Sequence, residues 1–581
     1  MTPQPISSTT TKRRKQTTRV RSGCRTCKIR RIKCDELRPS CAKCVSSGRA
    51  CDGYGIWSQP AVVLSRPRSQ ALSVFYPPQT VPGLDQEERG HLHRFRQFIA
   101  GRLAEPFGSY FWNSLVLQMS LSEPAVVHAS IALTSAYELF LPSNDRHTLA
   151  RSTSNGSFLL RQYNRAIRAL TSTIRSDNPI SLRIAAVSSV LFICLEILRG
   201  DLNAMQAHFS SGVKLLTQLQ NRQDQSRKTS DIVLVKNDPL VYDDHLVTVF
   251  TQLNLQFLML GNSSQQKETF VSPFHYSRRI HIPPRFYTGE EARHSFTSIV
   301  VAVTYLCKEF ERTAHISGAH LPVPSIADLE KQQGLEVAMS VWIASYKRSI
   351  YCLFPSISPQ ERIGLSMLRI YADVFTIIIG TCLTIKETAY DPYLKVFDSL
   401  IRRYSNLTTQ SSSAQSASGP AICKLDPCFT IDTGFFPPLY FTALKCRNHL
   451  IRRKALFLLQ QYPTMEGPWT GPMVARVAGY VVDLEEKNFW KVLRSSPVDD
   501  CLSDLTVRTK DIPQTPQPSQ TTPDVVLPEF CRIHCVECKL PNRLEKGSNV
   551  ASLTLRRFQH ELGKEGGWSV TSVDVDLSTS K

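Results

Sequence analysis

The stretch CRTCKIRRIKC (residues 24–34), followed by CAKCVSSGRAC (residues 41–51), decides the fold of the N-terminal part of this 581-residue chain. Both segments have the spacing C-x2-C-x6-C, and each cysteine of the second lies 17 residues after its counterpart in the first. Three matched intervals predict two structurally equivalent loops. Either metal ions or disulfide bonds could hold such loops together.

The N-terminal sequence favours metal over disulfides. The segment MTPQPISSTTTKRRKQTTR lacks the apolar core of a secretory signal. The longest uncharged apolar stretches reach only about half of the roughly 20 residues that span a bilayer. We therefore expect an intracellular chain with no membrane contact, in which thiols stay reduced and paired C-x2-C steps bind metal.

The number of cysteines predicts a cluster in which two zinc ions share ligands. Two separate tetrahedral sites would need eight thiolates, whereas six suffice if two cysteines each bridge both ions. The symmetry of the repeat indicates that the bridging pair is the first cysteine of each copy, Cys24 and Cys41. The predicted ligands of two Zn²⁺ per chain are Cys24, Cys27, Cys34, Cys41, Cys44 and Cys51.

The same segment is strongly basic, which predicts a polyanionic partner. Residues 1–51 contain 14 Lys or Arg against Asp35 and Glu36, a net charge of +12 out of +20 for the whole chain. Such a compact basic module is typical of proteins that bind the phosphate backbone of double-stranded DNA. The second copy has only Lys43 and Arg49, so we expect the first copy to enter the DNA groove. Its five cations are Arg25, Lys28, Arg30, Arg31 and Lys33.

The cysteine pattern with a basic first half resembles the fungal zinc binuclear cluster transcription factors of the Zn(2)-C(6) type. The resemblance implies a sequence-specific regulator of RNA polymerase II genes that acts in the nucleus. It also implies that a short helix after the second cysteine enters the major groove at CGG-type triplets. The base-reading position then falls on Arg31, with Arg30 beside it, and the phosphate contacts fall on Arg25, Lys28 and Lys33.

A second group of cations precedes the cysteine repeat. Lys12, Arg13, Arg14 and Lys15 form a short run in a segment that is rich in Ser and Thr. A charge run is a weak signal by itself, but beside a DNA-binding module we expect it to serve nuclear import or phosphate contact. The segment has no apolar periodicity and is predicted to be disordered when free.

The remainder of the chain is predicted to be a large all-α domain with a short β-hairpin near the C-terminus. Helical periodicity appears at Leu92, Phe95, Ile99 and Leu103, and again at Leu160, Tyr163, Ile167, Leu170 and Ile174. Asn178-Pro179 predicts a helix start and Gly200 its end. Residues 532–538 alternate as a strand does and are expected to pair with residues 553–558, whereas Ser405 to Pro420 are expected to form a polar loop.

The body also bears a looser resemblance to the helical regulatory domain of one subgroup of the same factors. Trp112 to Leu133 and Ile193 to Leu216 are the segments that carry it. The predicted organisation is a disordered basic arm (1–20), a DNA-binding domain (21–55), a flexible linker (56–85), a helical regulatory domain (86–505), a Pro/Thr-rich linker (506–526) and a C-terminal segment (527–581).

The sequence also bears on other classes of function. The chain contains no GxSxG elbow, Walker phosphate loop, HExxH or dinucleotide-binding fingerprint, so we predict that it is not an enzyme. The alternative is a zinc-cluster scaffold or corepressor that docks proteins without reading bases. The expected partners are DNA and the transcription machinery or coregulators, and a pathway-specific role at a biosynthetic gene cluster is a further hypothesis. No heptad pattern follows the cluster, so a homodimer has no evident coiled coil there.

Overall fold

A computed structural model divides the chain into two compact units, residues 1–78 and residues 79–581. In the first unit it describes residues 24, 26–27, 30, 32–37, 41–48 and 51. In the second it describes residues 83–141, 148–174, 178–223, 233–236, 241–260, 274–276, 280–316, 323–353, 357–413, 429–432, 434–462, 464–495, 527–542, 549–559 and 567–577. The predicted basic arm, the Pro/Thr-rich linker and most of the flexible linker lie outside the described residues.

The short helix α1 (Ala42–Val45) lies in the second copy of the cysteine repeat. Cys41 is its N-cap, and the thiol of Cys41 accepts a hydrogen bond from the amide of Cys44. The equivalent residues of the first copy, Thr26 and Cys27, are also helical. The repeat in sequence therefore corresponds to a repeat in structure.

The second unit begins with a helical layer that packs around one hydrophobic cluster. Phe95, Trp112, Phe192 and Phe250 are buried together in this cluster, to which every helix of the layer except the first, α2 (Gln86–Arg94), contributes; Leu92 of α2 packs in a smaller cluster with Val127 and Phe158. Two π-helical turns (Phe95–Ile99 and Phe111–Leu115) interrupt it. The helices are α2 (Gln86–Arg94), α3 (Ala100–Leu103), α4 (Val116–Met119), α5 (Pro124–Phe140), α6 (Thr148–Ile174), α7 (Pro179–Arg199), α8 (Leu202–Gln223) and α9 (Tyr242–Met259).

Helix α7 has the boundaries that its sequence predicts. Asn178 accepts a hydrogen bond from the amide of Ser181 at 2.8 Å, Pro179 is the first helical residue, and Gly200 ends the helix at a φ of 82°. A left-handed C-terminal residue is strained for any side chain, which is why glycine is suited to this position. The helix is buried along almost its whole length.

The two predicted amphipathic faces have different outcomes. Leu92, Phe95, Ile99 and Leu103 are all buried, as expected. The prediction for α6 is correct for the helix but only partly correct for its buried face, because Tyr163 is buried and Leu170 packs against the core, whereas Leu160, Ile167 and Ile174 are exposed. Leu159 and Ala166, which were not predicted, complete the face that packs against the core.

A second helical layer surrounds another hydrophobic cluster in the C-terminal part of the same unit. Its helices are α10 (Gly289–Ile316), α11 (Ile326–Leu353), α12 (Pro359–Thr381), α13 (Leu394–Ser413), α14 (Phe436–Lys445), α15 (His449–Gln461) and α16 (Gly471–Ser495), with a 3-10 helix at Glu387–Tyr393. Helix α13 corrects the predicted polar loop, because residues 405–413 continue the helix. Short polar residues favour loops only weakly when an amphipathic helix already precedes them.

The strands of the described part of the chain form three small sheets. Strands β1 (Val233–Val235) and β2 (Phe274–Tyr276) are parallel, and β3 (Phe429–Thr430), β4 (Met465–Glu466) and β5 (Trp469–Thr470) form the second sheet. The third is antiparallel and contains β6 (Cys535–Lys539), β7 (Val550–Gln559) and β8 (Gly567–Asp576). The pairing of Cys535 with Arg556 confirms the predicted hairpin, to which β8 adds a strand that was not predicted.

The C-terminal sheet is part of the second core rather than an appendage. Cys538 of β6 and Leu553 and Leu555 of β7 are buried in the same cluster as Tyr440 and Val481 of the helices. A buried hydrogen bond reinforces the junction, since the carboxylate of Glu485 in α16 accepts from the backbone amide of Ile533 at 2.7 Å. The sheet therefore closes one side of the helical body.

Among the described residues, two helices are long and apolar enough to cross a membrane, judged by length and composition alone. They are Pro179–Arg199 and Pro359–Thr381, and 89% and 67% of their most apolar windows are buried within the protein. Burial of this extent is typical of core helices in a large domain.

Candidate zinc centre and nucleic-acid interface

The six repeat cysteines converge on one site although they are spread over 28 residues of sequence. Five of their side chains are buried, and Cys51 is partly buried. The Sγ atoms of Cys24 and Cys41 lie 3.6 Å apart, those of Cys24 and Cys44 3.8 Å, and those of Cys27 and Cys41 3.6 Å. These thiols form the centre of the first unit.

The separations fit zinc coordination and not disulfide bonds. A tetrahedral Zn–S bond of about 2.3 Å places two sulfur ligands about 3.8 Å apart, whereas a disulfide needs about 2.05 Å. All six cysteines are free thiols. The donor set therefore has the chemistry and the spacing that structural zinc requires.

The thiols divide into two overlapping groups of four. Cys24, Cys27, Cys34 and Cys41 form one group, and Cys24, Cys41, Cys44 and Cys51 form the other, with all ligand atoms of a group within 4.8 Å of one another. Cys24 and Cys41 belong to both groups. Each group provides one complete tetrahedral donor set.

Four hydrogen bonds from backbone amides to sulfur repeat the symmetry of the sequence. The amide of Cys24 donates to the Sγ of Cys34 at 3.4 Å, and the amide of Cys41 donates to the Sγ of Cys51 at 3.5 Å. In the same way the amide of Cys27 donates to the Sγ of Cys24 at 3.4 Å, and the amide of Cys44 donates to the Sγ of Cys41 at 3.3 Å. Each hydrogen bond of the first copy thus has an equivalent in the second copy, 17 residues further along the chain. Each of these bonds stabilises negative charge on sulfur.

Burial makes the thiols poor acids unless a cation is present. Burial raises the pKa of Cys24 and of Cys27, and it raises the pKa of Cys41 to about 12. Metal binding requires the deprotonated thiolate, so a bound cation supplies the electrostatic compensation that the protein interior lacks. Folding of this site and metal binding are therefore coupled.

Asp35 joins the two halves of the site and was not predicted from the sequence. Its carboxylate accepts hydrogen bonds from the amides of Ala42 at 3.2 Å and Lys43 at 3.1 Å, at the start of α1. A carboxylate at this position satisfies amides that have no partner within the helix. A signal was present, since Asp52 follows Cys51 as Asp35 follows Cys34.

Arg30 also connects the halves. Its Nη1 atom donates to the hydroxyl of Ser47 at 2.8 Å and approaches the carbonyl oxygen of Lys43 at 3.5 Å. In the repeat, Ser47 is the residue equivalent to Arg30. A guanidinium has five N–H donors, so the bond to Ser47 leaves others for a further ligand.

The other predicted DNA contacts are less completely described. Lys33 is exposed on the segment that leads to Cys34. Arg25, Lys28 and Arg31 lie outside the described residues, as do the cations of the predicted import signal, Lys12, Arg13, Arg14 and Lys15. The structure thus places the metal ligands together, and the roles of these cations remain predictions.

Comparison with known proteins gives both a domain match and matches along the chain. Residues 22–60 match the fungal Zn(2)-Cys(6) binuclear cluster domain. The chain is 23% identical over 564 residues to the aspercryptin biosynthesis cluster-specific transcription regulator atnN of Emericella nidulans, an alignment that covers 81% of this chain and 88% of that protein. It is also 29% identical over 205 residues to the transcription regulator lscL of Purpureocillium lilacinum, which covers 34% of this chain and 48% of lscL.

A shorter match is confined to one small region. The transcriptional regulatory protein moc3 of Schizosaccharomyces pombe is 53% identical over 36 residues, which is 6% of this chain and 7% of moc3. No solved structure matches the chain.

Proposed function

We propose that the first copy of the cysteine repeat (residues 24–34) reads CGG-type triplets in the major groove. The premise is that this chain is a DNA-binding transcription regulator with an N-terminal Zn(2)-Cys(6) binuclear cluster domain and is not an enzyme. The domain binds two zinc ions. We assign Cys24 and Cys41 as the bridging ligands. The two four-thiol groups that share them support this assignment.

One observation supports the proposal for base reading: the two halves of the repeat have equivalent backbones but carry different numbers of cations. The two halves have matching amide-to-sulfur hydrogen bonds, so the backbone presents both in the same way. The first half has five cations between its cysteines and the second has two. Electrostatic attraction to phosphate therefore favours the first half at the DNA surface.

The proposed roles follow from the chemistry of each side chain. An arginine can donate two hydrogen bonds to guanine O6 and N7, and Arg31 is assigned to this contact. Lys33 is exposed and suited to a phosphate contact, with Arg25 and Lys28 assigned the same role. Arg30 precedes Arg31 in the sequence and donates a hydrogen bond to Ser47 of the second half, and we assign to this bond the role of orienting the reading segment.

The wider role concerns RNA polymerase II genes in the nucleus. Lys12, Arg13, Arg14 and Lys15 are assigned to nuclear import or to additional phosphate contact, and the helical body is assigned to contact coregulators. The name of atnN refers to one biosynthesis cluster, and the alignment with it extends over most of both chains. This supports a pathway-specific regulator of a biosynthetic gene cluster.

The test compares duplexes of equal composition, one containing CGG triplets and one with permuted bases, by fluorescence anisotropy of the full zinc-loaded chain. Arg31→Ala should reduce the preference for CGG by about tenfold, because a bidentate base contact discriminates by roughly 1–3 kcal/mol. Lys33→Ala should weaken binding to both duplexes alike and reduce the slope against salt by about one.

Lys43→Ala is the matched control, since Lys43 is an exposed cation of the second half. It should change neither the preference nor the salt slope. Equal binding of both duplexes by the unmodified chain contradicts base reading. Absence of DNA binding altogether favours the protein-docking scaffold.

A further inference from the structure

Helix α11 packs firmly into the body through one face. Trp342 is buried and donates from Nε1 to the carbonyl oxygen of Ala292 at 3.0 Å. Tyr346 donates its hydroxyl hydrogen to the carbonyl oxygen of Leu365 at 2.9 Å, and Ser349 accepts from the amide of Phe286 at 2.7 Å. The helix is therefore held in place independently of its outer face.

The outer face of the same helix is exposed, although several of its side chains are apolar. Ile326 is 77% exposed, Val337 58% and Tyr351 83%. Leu329 and Val341, which flank these residues on the helix, are exposed as well. Several large apolar side chains on one exposed helix face are the kind of surface that proteins use for contacts. The outer positions of α11 follow one another at alternating intervals of four and three residues, and we call this line of positions the stripe. Besides Ile326, Val337 and Tyr351 it contains five exposed positions, namely Glu330, Gln333, Ser340, Ala344 and Lys347.

Positions with this four–three spacing face the partner when one helix packs along another, and in α11 they carry both apolar and polar side chains. The stripe spans residues 326–351 and is therefore about 37 Å long at 1.5 Å per residue. The pattern was not recognised in the sequence because the inner face of α11 is also apolar, which obscures the periodicity.

The stripe is complementary to itself when two copies run antiparallel. Pairing about the midpoint of residues 338 and 339 places Glu330 of one copy opposite Lys347 of the other, and Ile326 opposite Tyr351. Because the operation is two-fold, both contacts occur twice. A parallel pairing would instead place Glu330 against Glu330 and Lys347 against Lys347, and like charges at such positions are repulsive.

We propose that a second copy of this chain docks on the outer face of α11, forming an isologous antiparallel dimer. The interface combines apolar contacts near the ends and the centre with two Glu330–Lys347 ion pairs. Neither residue has an ion-pair partner within the described part of the chain. This inference goes beyond the proposed function and does not depend on it, although a dimer would present two reading modules to paired sites on DNA.

The test is sedimentation velocity of the full zinc-loaded chain over a range of concentrations at low salt. The unmodified chain should be a reversible dimer. Glu330→Lys and Lys347→Glu, each alone, should weaken the dimer by about tenfold, because each creates two like-charge contacts. The double variant Glu330→Lys/Lys347→Glu should recover the affinity, since the charges are exchanged but remain opposite.

Glu311→Lys is a control for net charge, because it reverses an acidic residue on α10, outside the stripe. It should leave the dimer unchanged. A monomer at every concentration overturns the proposal, whether the stripe is bare or covered by another part of the same chain. A dimer that none of the charge reversals affects overturns it too. DNA binding to a single triplet, measured on the same variants, reports on the proposed function separately.

Discussion

In the first unit (residues 1–78), called the zinc unit below, the buried side chains of the described residues are thiols, and the apolar side chains of Ile32, Leu37 and Val45 are exposed. In the helical unit the arrangement is reversed, because two large clusters of aliphatic and aromatic side chains are buried. A segment of about 30 residues has too little apolar area to form a core of its own. The comparison shows why one unit depends on metal and the other does not.

The two units also neutralise buried charge by different means. In the first, cations compensate thiolates at the centre of the fold. In the second, Arg447 and Arg452 neutralise the charge of the fully buried Glu485. The Nη2 atom of Arg447 lies 2.9 Å, and that of Arg452 2.7 Å, from the carboxylate oxygens of Glu485. Buried charge is tolerated only where such compensation exists. Removing the compensation should therefore damage each unit separately.

Loss of zinc is the change with the largest expected effect. Chelation, or Cys24→Ser, should unfold the zinc unit and abolish DNA binding, because folding of this unit is coupled to metal binding. Circular dichroism of the helical body should change little. Cys352→Ser, which alters an exposed thiol, should retain both zinc ions and full binding. Retention of sequence-specific binding by the chelated chain would contradict the comparison.

Glu485→Gln should destabilise the helical body by about 3–5 kcal/mol, since it leaves two buried guanidinium groups without a full counter-charge. Chemical denaturation followed by tryptophan fluorescence measures the change. Asp483→Asn is the matched control, because Asp483 pairs with Arg453 at the surface and should cost less than about 1 kcal/mol. Zinc content should stay at two per chain in both variants. Equal effects from the two substitutions would count against a stabilising role of the buried network.

A smaller effect is expected from pH. Burial lowers the pKa of His294 to about 3, with further lowering by Arg293 and His245. Because the folded pKa lies below the ordinary value of 6.5, the stability that neutral His294 contributes is complete above pH 6.5 and decreases as the pH falls below it. The linkage amounts to about 2 kcal/mol between pH 7 and pH 5. His294→Gln should show a correspondingly weaker dependence in denaturation experiments over this range, and an unchanged dependence would contradict the assignment.

The sequence is most informative where spacing alone defines the structure. The convergence of six thiols follows from ligand number and symmetry, and the limits of α7 follow from Asn178, Pro179 and Gly200, since each of these effects is local. The hairpin of β6 and β7 was predictable for the same reason. Its third strand was not, because β8 alternates too weakly: most of its side chains are exposed on both faces.

Contacts between distant segments could not be predicted in this way. The bond from Arg30 to Ser47 and the approach of Glu485 to Ile533 depend on how elements pack in three dimensions. The predicted face of α6 was only partly correct, because Leu160, Ile167 and Ile174 are apolar but exposed. Periodicity detects an apolar stripe, whereas tertiary packing decides which stripe is buried.

The sharing of Cys24 and Cys41 between two metal ions is the central claim, and cadmium NMR of the ¹¹³Cd-substituted chain tests it most directly. The account predicts two resonances in the region of four-sulfur coordination, with scalar coupling between the two cadmium nuclei through the shared thiolates. A single metal per chain, or two resonances without mutual coupling, would contradict it.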